Sequence, residues 1–365
     1  MTAVFLAGMG LACVLGDDMP AVLAALQRGG VPPTPVKVAE GVHWPVYKLA
    51  RDEGQPGDEG RQADWTRRVR RTLRHVVAQT GDWGARTAPL FVASSSLDIG
   101  GMEQLPQSLR LDGDLQDFAD VVAAALDWQG PVFTVSTACT SALNAVLAAA
   151  DLVRGGGAEE ALVIGAEMDN RFTVAGFGAM QLLAPDRAQP FGAQRKGLVL
   201  GEAVAALRLG SQSARWQVLG GANVVDGRNP SGTEASAVRA MCREALAQGG
   251  LQPGDIDLVK VQAAGSPVND AIEVEALKQV FDPLPPLVSL KSAIGHTLGA
   301  AGAAELALLV GCIEGGVWPA VDYPLDDALG IALSAQAPRR LRHMLLNVVG
   351  FGGGHASLVL KDCTA

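Results

Sequence analysis

Apolar and polar positions alternate along the chain in two rhythms. Short, nearly continuous apolar runs read as strands at 3–10 (AVFLAGMG), 89–96 (PLFVASSS), 161–167 (ALVIGAE), 203–210 (AVAALRLG), 257–264 (DLVKVQAA), 286–292 (PLVSLKS), 344–350 (MLLNVVG) and 355–362 (HASLVLKD). Strands with so little polar alternation suit sheets covered on both faces. Between them, apolar residues recur at helical spacing over 19–28, 65–80, 115–128, 141–154, 235–248, 271–280 and 298–314. Strand and helix in alternation predict an α/β architecture. The polar, Gly-rich segment 50–63 reads as a surface loop, and no low-complexity linker cuts the chain. A weak internal echo joins 197–209 (GLVLGEAVAALRL) to 350–361 (GFGGGHASLVLK): each is a Gly-rich turn feeding a strand, the grammar of a duplicated half.

Composition narrows the picture. The 365 residues call for two or more core units or one large fused α/β unit. With 48% hydrophobic and only 18% charged residues, the chain has little spare surface charge and is suited to large subunit contacts. A net charge of −9 argues against a general nucleic-acid binder. The five cysteines are scattered without a CxxC pair, which points away from a disulfide framework or zinc site and toward a reduced, cytoplasmic compartment. The apolar opening 1–16 lacks the basic n-region of a signal peptide and reads as a buried strand and a Gly turn. The longest apolar stretch, 297–313, is interrupted by Glu305 and several glycines, so no membrane span is expected.

The chemistry concentrates at VFTVSTACTSALNAVLAAADLVRGG (132–156), where a β-branched run ends and a small-residue helix begins right after Cys139. A thiol there faces free N–H groups and the positive end of the helix dipole, which favour thiolate and lower the thiol pKa. The same N–H groups could hold an oxyanion during acyl transfer. Position alone leaves open the alternative of an inert buried cysteine.

STACTSALNA resembles the nucleophile segment of β-ketoacyl-acyl carrier protein synthases, and further segments resemble the same family in order. They are GMGLACVLG near the start, PFGAQRKGLVLGEA (190–203) with Arg195, Gly197, Gly201 and Glu202, SLKSAIGHTLGAAGAAE (289–305), and NVVGFGGGHASLVL (347–360). The resemblance spans nearly the whole chain. It implies a thiolase-like layered αβαβα fold from two similar halves with mixed five-stranded sheets. Residues 1–210 would carry Cys139, and 211–365 the Lys/His motif and a Gly-rich gating loop. It also implies a decarboxylative Claisen condensation in fatty acid, polyene or polyketide biosynthesis, with the acyl group carried on Cys139. By the same resemblance His296 is a catalytic histidine, Lys291 the active-site lysine, Glu305 a buried supporting glutamate and Phe351 the aromatic residue of the gating loop. No metal or redox cofactor is implied; the phosphopantetheine arm of an acyl carrier protein is the substrate.

One departure stands out. The family's second histidine belongs to a segment A-H-G-T-G-T-x-x-x-D-x-x-E, and here the segment reads VQAAGSPVNDAIEVEAL (261–277). Asp270 and Glu273 set the register, which puts Gln262 at the histidine position and Ala263 and Ala264 after it. A glutamine amide can still donate a hydrogen bond to a thioester oxygen. Smaller departures are Gly192, Ala203, Gly354 and His355, and the segment between Gly101 and Cys139 is short for an elongating synthase. Two functions therefore remain in view: a condensing enzyme with a Cys139, Lys291, His296 and Gln262 site, or a chain-length-factor-like subunit that shapes an active partner. A homodimer or a heterodimer with another ketosynthase follows from the resemblance.

In WTRRVRRTLRH (65–75), Arg67, Arg70, Arg71 and Arg74 fall on one helical face. Such a stripe would steer and dock an acidic acyl carrier protein; its alternative is an ordinary solvated face.

Overall fold

The computed structural model describes residues 2–50, 61–104, 114–227 and 232–365. Most of segment 50–63, expected as a loop, and residues 105–113 within the short stretch before Cys139 lie outside the described residues. The strands are β1 (Val4–Cys13), β2 (Thr34–Ala39), β3 (Val42–Tyr47), β4 (Leu90–Ala93), β5 (Val132–Val135), β6 (Glu160–Glu167), β7 (Leu200–Gly201), β8 (Ala203–Gly210), β9 (Trp216–Val225), β10 (Leu258–Lys260), β11 (Leu287–Val288), β12 (His343–Val349) and β13 (Gly354–Asp362). The helices are α1 (Met19–Gln27), α2 (Arg61–Ala78), α3 (Ile99–Met102), α4 (Leu115–Ala125), α5 (Ser141–Arg154), α6 (Arg171–Ala179), α7 (Ala235–Gln248), α8 (Pro267–Val280), α9 (Lys291–Ile294) and α10 (Ala301–Gly315).

Two sets of five strands carry the same topology. In the first the order is β5-β4-β6-β8-β1, and in the second β11-β10-β12-β13-β9. Numbered by appearance within its own set, each runs third, second, fourth, fifth, first. The first three strands in that order are parallel and the last two pairings antiparallel in both sets. The two sets are not separate sheets: β1 and β9 pair through Val4–Val218, Phe5–Gln217 and Leu6–Trp216, which makes one ten-stranded sheet folded about that seam.

Helices complete the layers. α2 and α4 cover the outer face of the first set, and α7, backed by α8, covers the second. α5 and α10 lie against each other in the middle and touch strands of both sets. Their closeness depends on Gly302, where a Cβ would stand 2.4 Å from the backbone nitrogen of Leu143. The stretch Leu298–Gly315 is the one span long and apolar enough to cross a membrane among the described residues, and 83% of it is buried inside this layer. Burial on all sides explains why it is apolar all round.

Several elements differ from expectation. β9 was not anticipated, because Gly220 and Gly221 interrupt its apolar run, and both glycines meet atoms of neighbouring elements at under 3 Å from a notional Cβ. The run at 286–292 gives only the two-residue β11, since Lys291 already begins α9. The run at 257–264 stops as a strand at Lys260, and 261–264 become a loop at the site. The hairpin β2–β3 and helix α6 carry no clear periodicity and were also missed.

Candidate active site

The site forms where matching joints of the two halves meet. Cys139 lies between β5 and the central helix α5; Lys291 and His296 lie between β11 and the central helix α10. Ala138, just before the thiol, has a positive φ of 53°, an uncommon conformation for a side-chain-bearing residue that the sequence did not signal. No side chain caps the start of α5. On the other half, the His296 N–H donates to the Val199 carbonyl at 2.7 Å, and the Gly201 N–H to the His296 carbonyl at 3.0 Å. The segment 197–203 is therefore the brace that holds the histidine.

Four of the expected residues come together. His296 Nε2 is 3.1 Å from Cys139 Sγ, and Lys291 Nζ is 3.3 Å from His296 Nδ1. The Lys291 ammonium also donates to Glu305 Oε1. An ammonium can only donate. Nδ1 is then the acceptor, and the neutral ring carries its proton on Nε2, facing the sulfur. The backbone N–H groups of Phe351 and of Cys139 itself also point at the thiol. All four side chains are buried, Cys139 at 3% exposure.

The expectation of a lowered thiol pKa is corrected. Burial pushes the Cys139 thiol up to about 11, against the opposing pull of the Phe351 N–H, the Lys291 charge and its own N–H. Burial, then Lys291 and Lys260, hold His296 well below its usual range. Burial also lowers Lys291 against the pull of Glu305. Burial works to raise Glu305, but the two ammonium groups of Lys260 and Lys291 outweigh it and hold the carboxyl below its usual range. The resting pair is a neutral thiol beside a neutral imidazole.

Gln262 is buried and lines the same cavity as His296. The cavity is narrow, about 40 Å³, and Gly350 and Phe351 line it too. Its Oε1 is buried without a hydrogen-bond partner. Its loop is pinned by the two residues that set the sequence register. Glu273 accepts the N–H groups of Gln262 and Ala263 at 2.7 and 2.8 Å, while Asp270 accepts those of Phe191, Ala264, Gly265 and Ser266. Gly350 approaches the nucleophile so closely that a Cβ there would stand 3.4 Å from that of Cys139. The Phe351 ring packs edge-on against Phe177.

Other residues fall elsewhere or were overlooked. His355 is fully buried at the start of β13 with both ring nitrogens unpartnered, and it does not line the cavity. Lys260 went unread in the sequence: its ammonium donates to Glu305 Oε2 and, at 2.8 Å, to the Asn347 carbonyl. Glu167 was also missed; it gathers Ser94, Ser95, Ser96 and the Gly299 N–H. Along α2, Arg67, Arg70, Arg71 and Arg74 are exposed, as the helical spacing requires. Arg67 pairs with Asp64 and Arg74 with Asp127, whereas Arg68 turns inward to the buried Glu202.

The chain is similar to known proteins of one family. Residues 103–214 match the family model for the N-terminal domain of beta-ketoacyl synthases, and residues 217–322 the model for the C-terminal domain. The chain is 32% identical over 262 residues to Nodulation protein E of Rhizobium sp. (strain N33), covering 67% of this chain and 65% of that relative. It is 30% identical over 302 residues to Nodulation protein E of Rhizobium meliloti, covering 74% and 75%. Among solved structures, the ketosynthase (ApeO) in complex with its chain length factor (ApeC) from Xenorhabdus doucetiae superposes with a TM-score of 0.80 at 25% identity, over 99% of this chain and 98% of the other. The ishigamide ketosynthase/chain length factor shares the fold, with a TM-score of 0.83 at 23% identity over 99% of each chain.

Proposed function

The chain belongs to the β-ketoacyl synthase family, and from that premise we propose that it condenses acyl chains, with Cys139 as the acyl carrier. The observation that carries the proposal is the 3.1 Å contact of Cys139 Sγ with His296 Nε2, backed by Lys291 on the far side of the ring.

In the first step the sulfur attacks the thioester of an acyl carrier protein. The acyl–sulfur bond to the phosphopantetheine arm breaks, and the proton of the Cys139 thiol ends on the departing thiol. The N–H groups of Cys139 and Phe351 are placed to hold the tetrahedral oxyanion. In the second step a malonyl thioester loses CO₂. Negative charge develops on its carbonyl oxygen, where the Nε2–H of His296 and the amide of Gln262 donate. The enolate carbon attacks the acyl carbonyl, Cys139 leaves as thiolate, and one proton from solvent restores the thiol. Splitting the reaction through an acyl-enzyme divides one difficult step into two easier ones. Both steps balance without a metal or redox cofactor. The exposed stripe of Arg67, Arg70, Arg71 and Arg74 on α2 suits an acidic carrier protein as docking partner.

A second reading makes this chain the chain-length-shaping half of a heterodimer with another ketosynthase. It is favoured by Gln262 in place of an imidazole. The strand β5, at one end of the sheet with Phe133 exposed, offers an edge for either a homodimer or a heterodimer.

The test is incubation with an acyl carrier protein bearing an acyl chain, followed by mass analysis of the peptide carrying Cys139, then addition of malonyl-carrier protein. Acylation of Cys139, lost in Cys139→Ala, with a β-ketoacyl product supports the enzyme. Neither signal alone, with product appearing only beside a second ketosynthase, supports the partner reading.

A further inference from the structure

Lys260 has no part in the steps above, yet it is only 1% exposed and touches the catalytic cluster. It ends β10, two residues before Gln262, and shares Glu305 with Lys291. Two ammonium groups thus face one carboxylate, and the sealed cluster carries one net positive charge. A single Lys–Glu pair would be neutral and cheaper to bury, since an uncompensated buried charge is destabilising. The surplus charge therefore asks for a reason beyond stability.

Its nearest titratable neighbour outside the cluster is His296. The charged and titratable groups around that ring are Cys139 from the start of α5, Lys291 from α9, and Lys260 and Glu305 from β10 and α10. Farther out stand Glu167, at the end of β6 beside the thiol, and Glu273, on α8 beneath Gln262. If Glu305 faced Lys291 alone, its negative charge would cancel that of the ammonium touching Nδ1, and an imidazolium would meet little repulsion. With Lys260 on the other oxygen, the carboxylate is already spoken for.

We propose that Lys260 is a positioning residue which, by occupying one oxygen of Glu305, leaves the charge of Lys291 unneutralised and so keeps His296 a neutral ring with its proton on Nε2, aimed at the sulfur. The direction of the His296 shift agrees, with Lys260 among its causes after burial and Lys291. The arrangement matters because Gln262 cannot titrate. Asp270 and Glu273 also line the cavity, their carboxyls raised by burial to about 6 and about 7. Among the described residues lining it His296 is the imidazole, and its tautomer decides whether a proton or a lone pair faces the thioester oxygen. The catalytic meaning rests on the condensing reading; the charge arrangement does not, and it can be read without turnover.

The experiment is nitrogen-15 spectroscopy of the full chain labelled at histidine, over the range of about pH 5 to 8 where an ordinary imidazole titrates. The signal of His296 is identified among the five histidines by its loss in His296→Asn. In the native chain His296 is expected to stay neutral throughout, with the shift pattern of an Nε2–H ring. In Lys260→Met, which makes the cluster neutral, it is expected to titrate within the range. In the double variant Lys260→Met, Glu305→Gln, which restores one net positive charge, the native pattern is expected to return. A merely structural role would not be rescued by a second disruption. An unchanged titration in a folded Lys260→Met overturns the proposal, and so does a double variant that titrates like the single one. If neither variant folds, Lys260 is structural and the proposal falls. Absence of condensation in the native chain, with its histidine pattern as expected and the variants responding as stated, would instead count against the condensing reading alone.

Discussion

The two halves repeat one topology and finish it with opposite chemistry. At the end of β4, the second strand of the first set, Ser94, Ser95 and Ser96 converge on Glu167 from the end of β6, joined by the N–H of Gly299. Every polar group there has a partner. At the end of β10, the second strand of the other set, the polar groups do not balance. Lys260 and Lys291 share one carboxylate, and Gln262 Oε1 is buried with none. Buried polar groups are satisfied unless something is gained by leaving them open. The first cluster is a clamp that ties the end of β4 and the end of β6 to the turn leading into α10. The second leaves one acceptor, Gln262 Oε1, open at the cavity, and the thiol lies between the two clusters.

The sharpest way to break this contrast is to remove the ligand-facing donor. His296→Ala should lower condensation by about 10²–10³-fold, the usual cost of losing one oxyanion donor, while the fold survives and Cys139 still accepts some acyl group. Product formation from malonyl-carrier protein measures the first, and mass analysis of the acyl-enzyme the second. Unchanged condensation would mean that the contact with Cys139 is incidental.

The clamp should respond in stability instead. Glu167→Ala leaves several buried donors without an acceptor, and it should lower the unfolding free energy by about 3 kcal/mol, since each hydrogen bond to a charged group contributes about 1.5–3 kcal/mol. Urea denaturation reads this directly. A loss of less than about 1 kcal/mol, within the range of a neutral hydrogen bond, would show that the serine cluster is not what positions Gly299 and the His296 loop.

Legibility in the sequence divides along the same line. Cys139 was readable as a thiol at a helix start, and Lys291, His296 and Glu305 through the resemblance of segment 289–305 to the family's; the fold brings all four into contact. The Arg stripe was readable because helical spacing alone places it on one face. Lys260 and Glu167 were not. Their partners lie 45 and 72 residues away, and nothing local marks a strand-end lysine or glutamate as buried. The duplicated topology left only a faint echo, because β9, which opens the second set, hides behind Gly220 and Gly221. The direction of the thiol shift was misread for a related reason. A helix start is visible in sequence, but burial, which outweighs it, comes from residues brought in by the whole fold.

A smaller effect sharpens the unfinished half. Gln262→His would place a second imidazole on a loop already pinned by Glu273 and Asp270. If the site is active but short of a donor, condensation should rise about tenfold, below the full value of an oxyanion donor because the amide already supplies part of it. Rates with malonyl-carrier protein under single-turnover conditions measure it. A fall in rate would show that the cavity is shaped to the amide.

The smallest effect concerns the resting proton. With the thiol pushed up to about 11 by burial and the imidazole held neutral, thiolate is scarce near neutrality. The thiolate is the nucleophile toward iodoacetamide, so alkylation of Cys139 should be slower than that of the exposed Cys363 at neutral pH and should keep climbing as pH rises. A thiolate–imidazolium pair would behave differently: its alkylation rate would be flat across neutral pH, since the sulfur would already be ionised. Peptide mass analysis after timed alkylation at several pH values separates the two. A flat profile for Cys139 would place the dipole of α5 above burial and return the histidine to the role of base; a rising one leaves it as the donor that the lysine on its far side makes it.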